Sequence, residues 1–301
     1  MTDPHELRLT ASVVVHRTPV RQLQAVLASL QADGVTSVCV IDNSPDDRLR
    51  AAVEACAGVC YLRVPNRGYG AAHNVALRRA LASGSTHHLL LNPDVRWDPG
   101  VIAGLLEAMR RTPRCGMAAP RILYPDGRLQ HTCRMLPAPA DLILRRFVPS
   151  FLWRRRRQRY LLAHWDHASD LDVPYLQGSF MLVACDALRE AGLFDERFFM
   201  YPEDIDLTRR IHALRPTLYC PAVTVIHDHA AASARSLRML AIHVVNMVRY
   251  FNKWGWVADP ARRQANNRLL EAIDGLSAPC RELSPRGCRA AGGDDAPAIP
   301  S

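Results

Sequence analysis

Short apolar runs alternate with amphipathic stretches over the first 110 residues. Residues 10–16, 37–41, 59–64 and 87–91 are rich in β-branched or leucine side chains, which is typical of buried strands. The first helix is expected at Thr18-Pro19, because threonine is a favourable N-cap and proline suits the first helical position. This alternation of strands and helices predicts a parallel sheet.

The pattern becomes less regular further along the chain. Two more helices are expected early, over about 71–82 and from Asp98-Pro99 onward. The later strands are expected at 116–123, 173–184 and 217–226, and the later helices near 186–191, after Glu203 and over 236–254. Residues 135–170 are irregular and rich in arginine. Residues 277–301 are rich in proline, glycine and charge, and we predict a disordered tail there.

Polar residues follow three of the predicted parallel strands, namely His16, Asp42 and Asp94. Ligands of open α/β sheets bind beyond the carboxyl ends of the strands, so these residues predict a binding site. The segment Asn92-Pro93-Asp94 could present a carboxylate to a hard divalent cation, which a diphosphate needs to offset its charge. The alternative is that these residues only form turns.

The densest group of carboxylates is Glu203, Asp204 and Asp206. If a helix begins near residue 203, helical spacing predicts that its buried stripe contains Leu207, Ile211 and Leu214. Asp204 lies on nearly the same side as this stripe and is predicted to point toward the sheet. A carboxylate held in that way at a helix N-terminus is a good candidate for a general base.

Asp206 lies about 200° around the helix from Asp204, by the rotation of an ideal α-helix. We therefore expect it to face solvent or to pair with Arg209 and Arg210. The alternative for the whole cluster is that acids in a first turn only complement the helix dipole. His227 ends the last predicted strand and is a candidate metal ligand, although a lone histidine is more often a packed residue.

Composition and charge add a possible anionic partner. The chain has 301 residues, of which 49% are hydrophobic and 22% charged, as in ordinary globular proteins. The net charge of +9 comes almost wholly from arginine, with Lys253 as the single lysine. Residues 153–159 concentrate this charge in the run Trp-Arg-Arg-Arg-Arg-Gln-Arg, flanked by Trp153 and Tyr160. Such a run suits an anionic surface, and the alternative is a solvated loop.

The sequence also bears on compartment. It contains no run of 18 apolar residues and does not begin with a basic stretch followed by an apolar one. We therefore expect no transmembrane helix and no signal peptide, and a cytoplasmic protein. Nine cysteines, an odd number without a C-x-x-C pair, predict neither a disulfide framework nor a zinc site.

Several motifs follow one another in a particular order. They read V-V-V-H, V-I-D-N-S, N-R-G-Y-G-A-A-H-N, L-L-L-N-P-D-V, Q-G-S-F-M-L-V, F-D-E-R-F-F-M-Y-P-E-D-I-D-L and V-I-H. Over about residues 10–255 this set resembles the family 2 glycosyltransferases, and in particular their bacterial rhamnosyltransferase-like branch. The resemblance implies an α/β, Rossmann-like GT-A fold with a mostly parallel central sheet, flanking helices and a C-terminal helical extension.

The resemblance also implies roles for individual residues. It implies nucleotide-sugar contacts at His16, Asp42, Asn66, Arg67, Gly68, Asn92, Asp94 and Gly178. Asp204, with Glu203 beside it, matches the catalytic acidic pair. A divalent cation, Mg²⁺ or Mn²⁺, is expected at Asp94 and His227. His16 replaces the Tyr-Asn often found after the first strand, and Asn92 replaces the first aspartate of the D-x-D metal motif.

The implied organisation is a catalytic domain at 8–230, with a nucleotide-binding half at about 8–112 and an acceptor half at about 113–230. C-terminal helices would follow at 231–276. The implied reaction is inverting transfer of a sugar, L-rhamnose from dTDP-L-rhamnose, to a hydroxyl of a saccharide or polyprenyl-linked acceptor in cell-surface polysaccharide synthesis.

The partners expected are therefore the sugar donor, this acceptor and a membrane. The arginine run, with Arg154, Arg155, Arg156 and Arg157, is expected to contact the anionic inner face of the cell membrane reversibly. No nucleic-acid partner is expected.

Three other functions are compatible with parts of the pattern. A nucleotidyltransferase would carry a glycine-rich basic loop after the first strand, where this chain has His16-Arg17-Thr18-Pro19. A basic module that binds nucleic acid or membrane would need arginines interleaved with aromatic residues on a binding fold. A catalytically inactive family member would retain binding alone, and the presence of Asp94, Asp204 and His227 argues against it.

Overall fold

A nine-stranded mixed sheet forms the centre of the fold. The structure is a computed structural model that describes residues 7–142, 150–228 and 237–277. Its strands are β1 (Leu9–Val15), β2 (Val38–Asp42), β3 (Val59–Arg63), β4 (His87–Leu91), β5 (Val95–Arg96), β6 (Met117–Leu123), β7 (Cys133–Arg134), β8 (Leu171–Asp172), β9 (Tyr175–Leu176), β10 (Phe180–Ala184) and β11 (Thr217–His227). The order is β3-β2-β1-β4-β10-β6-β11-β5, with β8 alongside β11, and β7 pairs separately with β9.

Helices lie between and after these strands. They are α1 (Val20–Ala32), α2 (Arg50–Glu54), α3 (Tyr69–Ala82), α4 (Val101–Arg111), α5 (Arg154–Tyr160), α6 (Cys185–Ala191), α7 (Glu203–His212), α8 (Leu237–Trp254) and α9 (Pro260–Ser277). The predicted tail at 277–301 lies outside the described residues from 278 onward. Within the described residues, no helix has the length and apolar character that crossing a membrane would require.

The expectation of a mostly parallel α/β sheet is confirmed. Strands β1, β2, β3 and β4 are mutually parallel, and β11 is parallel to β6. Strand β10 runs antiparallel between β4 and β6. Val13, Val40, Leu89, Leu90 and Leu182 have no exposed surface, because the central strands are covered on both faces. The carboxyl ends of β1, β2 and β4 therefore meet along one edge.

The single strand predicted at 173–184 is wrong in one respect, because the segment is broken into β9 and β10. The break falls at Gln177, Gly178 and Ser179, where the backbone turns away from regular pairing. A Cβ on Gly178 would lie 3.1 Å from the Cβ of Asp204, so glycine permits a close approach between the break and helix α7 that a larger residue would crowd.

Two helix starts are shifted from their predicted positions. Helix α1 begins at Val20 with Pro19 as its N-cap, and no side chain caps it. Helix α4 begins at Val101 after Gly100, rather than at Asp98-Pro99. The backbone N–H groups of Gly100 and Ile102, at the start of this helix, donate to the carboxylate of Asp33, which directly follows α1. A partner 67 residues away therefore sets this helix end.

Helix α7 differs from the prediction at two positions. Leu207 and Ile211 are fully buried as expected, but Leu214 is 52% exposed because the helix ends at His212. The prediction that Asp206 faces solvent is also wrong. Asp206 is fully buried, with Arg210 Nε at 2.9 Å and Lys253 Nζ at 2.7 Å from its carboxylate.

The predicted pairing of Asp206 with Arg209 is replaced by a different ion pair. Arg209 is buried beside Asp259, with Nη2 2.6 Å from Oδ1, and its guanidinium lies 3.9 Å from the centre of the Trp254 ring. The pairing of Asp206 with Arg210 is confirmed. Lys253 and Trp254 at the end of α8, and Asp259 just before α9, therefore hold α7 against the C-terminal part of the chain.

Helix α8 packs on the segment that precedes and begins α7. Its buried side chains Met247, Tyr250 and Phe251 form a cluster with Phe198 and Ile205. Helix α8 therefore packs directly against the start of α7, where the acidic residues Glu203 and Asp204 lie.

Candidate active site

Five of the predicted site residues line one cleft at the carboxyl edge of the sheet. They are Asn92, Gly178, Glu203, Asp204 and His227. The cleft has a volume of about 370 Å³, within the usual range for a small-molecule site. Its remaining walls come from the segment before α7, from β9 and from helix α8. The tertiary structure thus assembles residues that are up to 135 positions apart in the sequence.

Asp204 is held rigidly at the floor of this cleft. Its Oδ2 accepts a hydrogen bond from Gly178 N at 3.0 Å, and its Oδ1 accepts one from Ile205 N at 2.8 Å. Burial raises the pKa of the Asp204 carboxyl above its ordinary value, while the two N–H groups and the nearby Arg134 act in the opposite direction. A fixed carboxylate with a raised pKa is well suited to accept a proton.

Glu203 lies beside Asp204 in a drier environment. It is 5% exposed, and its Oε2 has no hydrogen-bond partner among the described residues. Burial, followed by the negative charge of Asp204, raises the pKa of Glu203 well above its ordinary value. Because Asp204 has more groups that stabilise its charge, we expect Glu203 to carry the proton and Asp204 to be ionised.

Tyr69 connects the loop at Asn66, Arg67 and Gly68 to the segment that carries the acidic residues. Its hydroxyl donates to Gly178 O, and its backbone N donates to Phe199 O at 3.0 Å. Gly68 precedes it with a φ of +110°, and a Cβ there would lie 2.2 Å from Phe199 O. Only glycine fits this close contact. The predicted loop at Asn66, Arg67 and Gly68 is therefore anchored directly to the segment before α7.

Asp94 and His227 lie together, as the predicted metal ligands would. Asp94 Oδ1 is 3.2 Å from His227 Nε2. Gln130 donates from Nε2 to His227 O at 2.8 Å, so its Oε1 faces His227 Nδ1 at 3.0 Å. Since Oε1 can only accept, Nδ1 carries a proton, and in the neutral ring Nε2 presents a lone pair.

Two lone pairs thus face each other across 3.2 Å, and either a proton or a cation would relieve their repulsion. This spacing is close to the separation of about 3 Å between neighbouring ligands of an octahedral cation with bonds near 2.1 Å. Among the described residues no group of three or more His, Cys, Asp or Glu side chains could hold a metal. A cation here would complete its shell with phosphate oxygens and water, as Mg²⁺ commonly does.

The other predicted donor contacts lie outside the cleft, along the neighbouring strand ends. Asp42 is fully buried, and its carboxylate accepts from Ser44 N at 2.7 Å and from Tyr61 Oη at 2.8 Å. His16 is exposed, with Nδ1 3.0 Å from Asn43 O. Asn66 and Arg67 are also exposed. Their roles in nucleotide binding stay predictions.

Sequence reasoning missed several residues of the cleft. They include Tyr69, Arg134, Tyr160, Tyr175, Gln177 and His243. Arg134 and Tyr160 lie in segments without a clear period, and no local signal distinguishes them from surface residues. Gln130, which orients His227, has no signature either, because its partner is 97 residues away.

The arginine run forms helix α5 instead of an irregular loop. Trp153 and Tyr160, predicted to flank it at a membrane surface, are each only 6% exposed. They are seven positions apart and thus lie on the same side of the helix, which faces the protein. The exposed apolar residues are Phe151 and Leu152, at 74% and 66%. Arg156 pairs with the buried carboxylate of Asp141.

The fold and the cleft together define a class of enzyme. A mostly parallel sheet in which β5, β8 and β10 run antiparallel to their neighbours, a carboxylate at Asp94 just past β4 and the Asp204 carboxylate in the cleft are the features of a GT-A glycosyltransferase. A sequence model described as Glycosyl transferase family 2 matches residues 14–190, and the chain belongs to this family.

Relatives of this chain include two rhamnosyltransferases. The chain is 34% identical over 240 residues to N-acetylglucosaminyl-diphospho-decaprenol L-rhamnosyltransferase of Mycobacterium tuberculosis, covering 74% of this chain and 77% of that protein. It is 24% identical over 269 residues to rhamnosyltransferase WbbL of Escherichia coli, covering 85% of this chain and 95% of that one. The chain is thus a glycosyltransferase of the rhamnosyltransferase-like branch.

A solved structure supports the fold. The mannosyltransferase PcManGT from Pyrobaculum calidifontis, in complex with GDP-Man and Mn²⁺, superposes with a TM-score of 0.51 at 16% identity. The match covers 92% of this chain and 78% of that one. The GT-A fold predicted from the sequence is therefore confirmed.

Proposed function

We propose that this enzyme transfers L-rhamnose from dTDP-L-rhamnose, with inversion, to a hydroxyl of a lipid-linked saccharide. The observation that carries the transfer chemistry is the Asp204 carboxylate, fixed by Gly178 N and Ile205 N in the cleft that also contains Asn92 and His227. The choice of sugar and acceptor is supported by the rhamnosyltransferase relatives, one of which is named for a diphospho-decaprenol acceptor.

The proposed reaction is a direct displacement. Asp204 accepts the proton of the acceptor hydroxyl, and that oxygen forms a bond to the anomeric carbon of the donor. The bond from this carbon to the diphosphate oxygen breaks on the opposite face, and its electron pair leaves with the nucleoside diphosphate. Attack from the opposite face inverts the configuration. Glu203 stays protonated beside Asp204, so that a second negative charge does not repel the departing diphosphate.

We also propose that a divalent cation, Mg²⁺ or Mn²⁺, binds through Asp94 and His227. When bound, it would supply positive charge at the diphosphate of the leaving group. Gln130 would hold the His227 imidazole with Nδ1 protonated and Nε2 directed toward Asp94. Activity is expected to disappear in excess EDTA, to return on adding Mg²⁺ or Mn²⁺, and to fall sharply in Asp94→Ala. Full activity in excess EDTA would contradict this proposal.

A donor panel tests the proposed substrate most directly. The purified enzyme would be incubated with dTDP-L-rhamnose, UDP-hexoses, UDP-N-acetylhexosamines and GDP-mannose, together with a lipid-linked saccharide, and release of the nucleotide measured. Turnover is expected with dTDP-L-rhamnose. Turnover of a UDP-hexose without turnover of dTDP-L-rhamnose would refute the donor assignment while leaving the glycosyltransferase assignment intact.

The proposed division of the chain assigns 8–112 to the donor and 113–230 to the acceptor, with supporting helices at 231–276. The contacts of the described residues fit this division. Asp42 and Asp94 come from the first part, whereas Asp204 comes from the second. The helices after residue 237 support α7 through Lys253 and Trp254.

We further propose that helix α5 and the preceding turn bring the enzyme to the anionic inner face of the cell membrane. Arg154, Arg155 and Arg157 are exposed, and within the described residues none of them is in an ion pair. Phe151 and Leu152 project into solvent next to them. Arginine near an anionic bilayer gains about 1 kcal/mol per residue, and exposed apolar side chains would add insertion into the headgroup region.

Co-sedimentation with liposomes tests this contact. The variant Arg154→Gln, Arg155→Gln and Arg157→Gln removes the exposed charge but keeps Arg156, which pairs with Asp141. Reduced binding to anionic liposomes is expected at low salt, with little binding of either protein to neutral liposomes. A matched control changes Arg110 and Arg111 of α4 to glutamine. Equal binding by the α5 variant and the wild type would rule out the α5 contact.

A further inference from the structure

Arg134 is a cation in the cleft that has no carboxylate partner. It is the last residue of strand β7, and its Nη2 donates to Gln177 Oε1 at 3.0 Å while its Nε donates to His131 O. Its guanidinium also lies 5.6 Å from the centre of the Tyr175 ring. All these partners are neutral. Among the described residues, no aspartate or glutamate is in an ion pair with Arg134, and Asp204 acts on it only from a longer distance.

A partly buried guanidinium of this kind is costly unless an anion joins it. Burial of a charge is favourable only with a compensating partner and good hydrogen bonds. Most other arginines of the described interior have one, since Arg209 pairs with Asp259 and Arg215 with Glu190. Arg134 has no such partner among the described residues and faces the cleft, which points to a ligand as the source of the anion.

The walls around Arg134 indicate what else this ligand carries. The same cleft is lined by Leu142, Ile205, Met239, Leu240 and Met247. Leu142, Ile205 and Met247 pack in one buried apolar cluster with Tyr175, the ring beside the guanidinium, and Asp204 lines the same cleft. A ligand that matches this arrangement has an anionic group, an apolar chain on one side and a hydroxyl-bearing group on the other.

We propose that Arg134 binds the phosphate that joins the acceptor sugar to its lipid, with the lipid chain along the apolar wall and the sugar hydroxyl at Asp204. This assignment rests on the proposed lipid-linked acceptor. Arg134 contacts Gln177 and the Tyr175 ring, whereas the donor diphosphate is expected at Asn92, Asp94 and His227. Arginine is well suited to this role because its planar donors match phosphate oxygens.

Binding of farnesyl diphosphate, measured by calorimetry, tests the proposal without requiring turnover. The titration would be run with dTDP and Mg²⁺ present, so that the donor subsite is filled, and repeated without them. Wild type is expected to bind the probe in both conditions. Arg134→Gln is expected to bind it roughly tenfold more weakly or worse, the usual effect of losing a charge-assisted hydrogen bond. Arg134→Lys, which keeps the charge, is expected to lie between them.

Two controls separate this role from a structural one. Farnesol, which has the chain without the diphosphate, should bind wild type and Arg134→Gln equally. Arg110→Gln, a change on the exposed face of α4, should leave farnesyl diphosphate binding unchanged. Thermal melting of each variant confirms that it is folded.

Three results would overturn the proposal. They are equal binding of farnesyl diphosphate by wild type and Arg134→Gln, absence of binding by wild type, and a loss seen only without dTDP, which would assign Arg134 to the donor diphosphate. Failure of the donor panel to show rhamnose transfer would instead contradict the proposed function, and this binding result would stand apart from it.

Discussion

At the scale of single residues, the proposed general base Asp204 gives the sharpest test. Asp204→Asn keeps the shape of the side chain but removes its capacity to take a proton, so turnover is expected to fall by a factor on the order of 10² or more. The fold and the affinity for the donor nucleotide should be retained. Initial rates and nucleotide titrations of purified wild type and variant measure both. Near-normal turnover in Asp204→Asn would remove Asp204 from the mechanism.

The pH dependence of the activity also tests the role of Asp204 as the base. The base must be ionised to act, and the pKa of Asp204 is raised above its ordinary value by burial. Activity is therefore expected to fall as pH decreases through this raised pKa, at a higher pH than an exposed aspartate would give. Glu203→Gln, which mimics a protonated Glu203, should retain far more activity than Asp204→Asn.

Asp206, two positions from the proposed base, has a different role. Its buried carboxylate contacts Arg210, Lys253 and Trp254. Asp206→Asn removes the buried negative charge that Arg210 and Lys253 share, while Lys253 keeps Asp195, and we expect a loss of about 2–3 kcal/mol in the free energy of unfolding. Urea denaturation measures it. Asp46→Asn, which removes only an exposed pair with Arg48, is the control and should unfold at the same urea concentration as wild type.

At the scale of elements, helix ends are set by distant partners. Asp33 accepts from Gly100 N, Ile102 N and Trp97 Nε1, and thereby caps α4. Asp33→Ala is expected to cost about 1–2 kcal/mol, seen as a fall of a few degrees in Tm. Asp98→Ala is the matched control, because Asp98 is exposed and caps nothing among the described residues. If both variants melt together, the capping role of Asp33 is wrong.

The elements themselves were largely predictable. Clear patterns of apolar residues mark the strands around residues 10, 40, 60 and 90 and the helix after Glu203. These elements form as predicted because their apolar faces pack into the core. The break at Gly178 could not be predicted in this way. It depends on the approach of Asp204 to within 3.1 Å of the space a Cβ would fill, and this contact joins residues 26 positions apart.

At the scale of the whole molecule, a buried polar chain crosses the sheet. Ser12 Oγ lies 2.7 Å from His73 Nδ1 and 2.8 Å from His88 Nε2, and Thr10 Oγ1 lies 2.7 Å from His88 Nδ1. Burial lowers the pKa of His88 from 6.5 to about 3, and burial also lowers that of His73 well below its ordinary value. Both rings are therefore neutral in the folded protein.

These buried neutral histidines predict that the protein loses stability in acid. A histidine whose pKa is lower in the folded state does not reduce the stability of the fold at a pH above its unfolded pKa of about 6.5. As pH falls below that value, the unfolded state binds a proton that the folded state does not, and stability is lost. Each such ring costs on the order of 1 kcal/mol per pH unit between about pH 6 and pH 5. Urea denaturation across this range measures the slope, which should be shallower in His88→Gln and unchanged in His164→Gln, an exposed ring. Equal slopes in wild type and His88→Gln would contradict the prediction.

The sequence by itself determined the main strands and helices of the central sheet, the mostly parallel arrangement and the family, and it predicted the acidic and histidine residues of the candidate site. These depend on local periodicity and on motifs whose residues are adjacent in the chain. Tertiary structure alone decided that Arg209 pairs with Asp259, that Trp153 and Tyr160 are buried, and that Arg134 enters the cleft. The physical reason is that a charged or aromatic side chain takes its partner from whatever surface folding brings beside it, and that surface is encoded far away in the sequence.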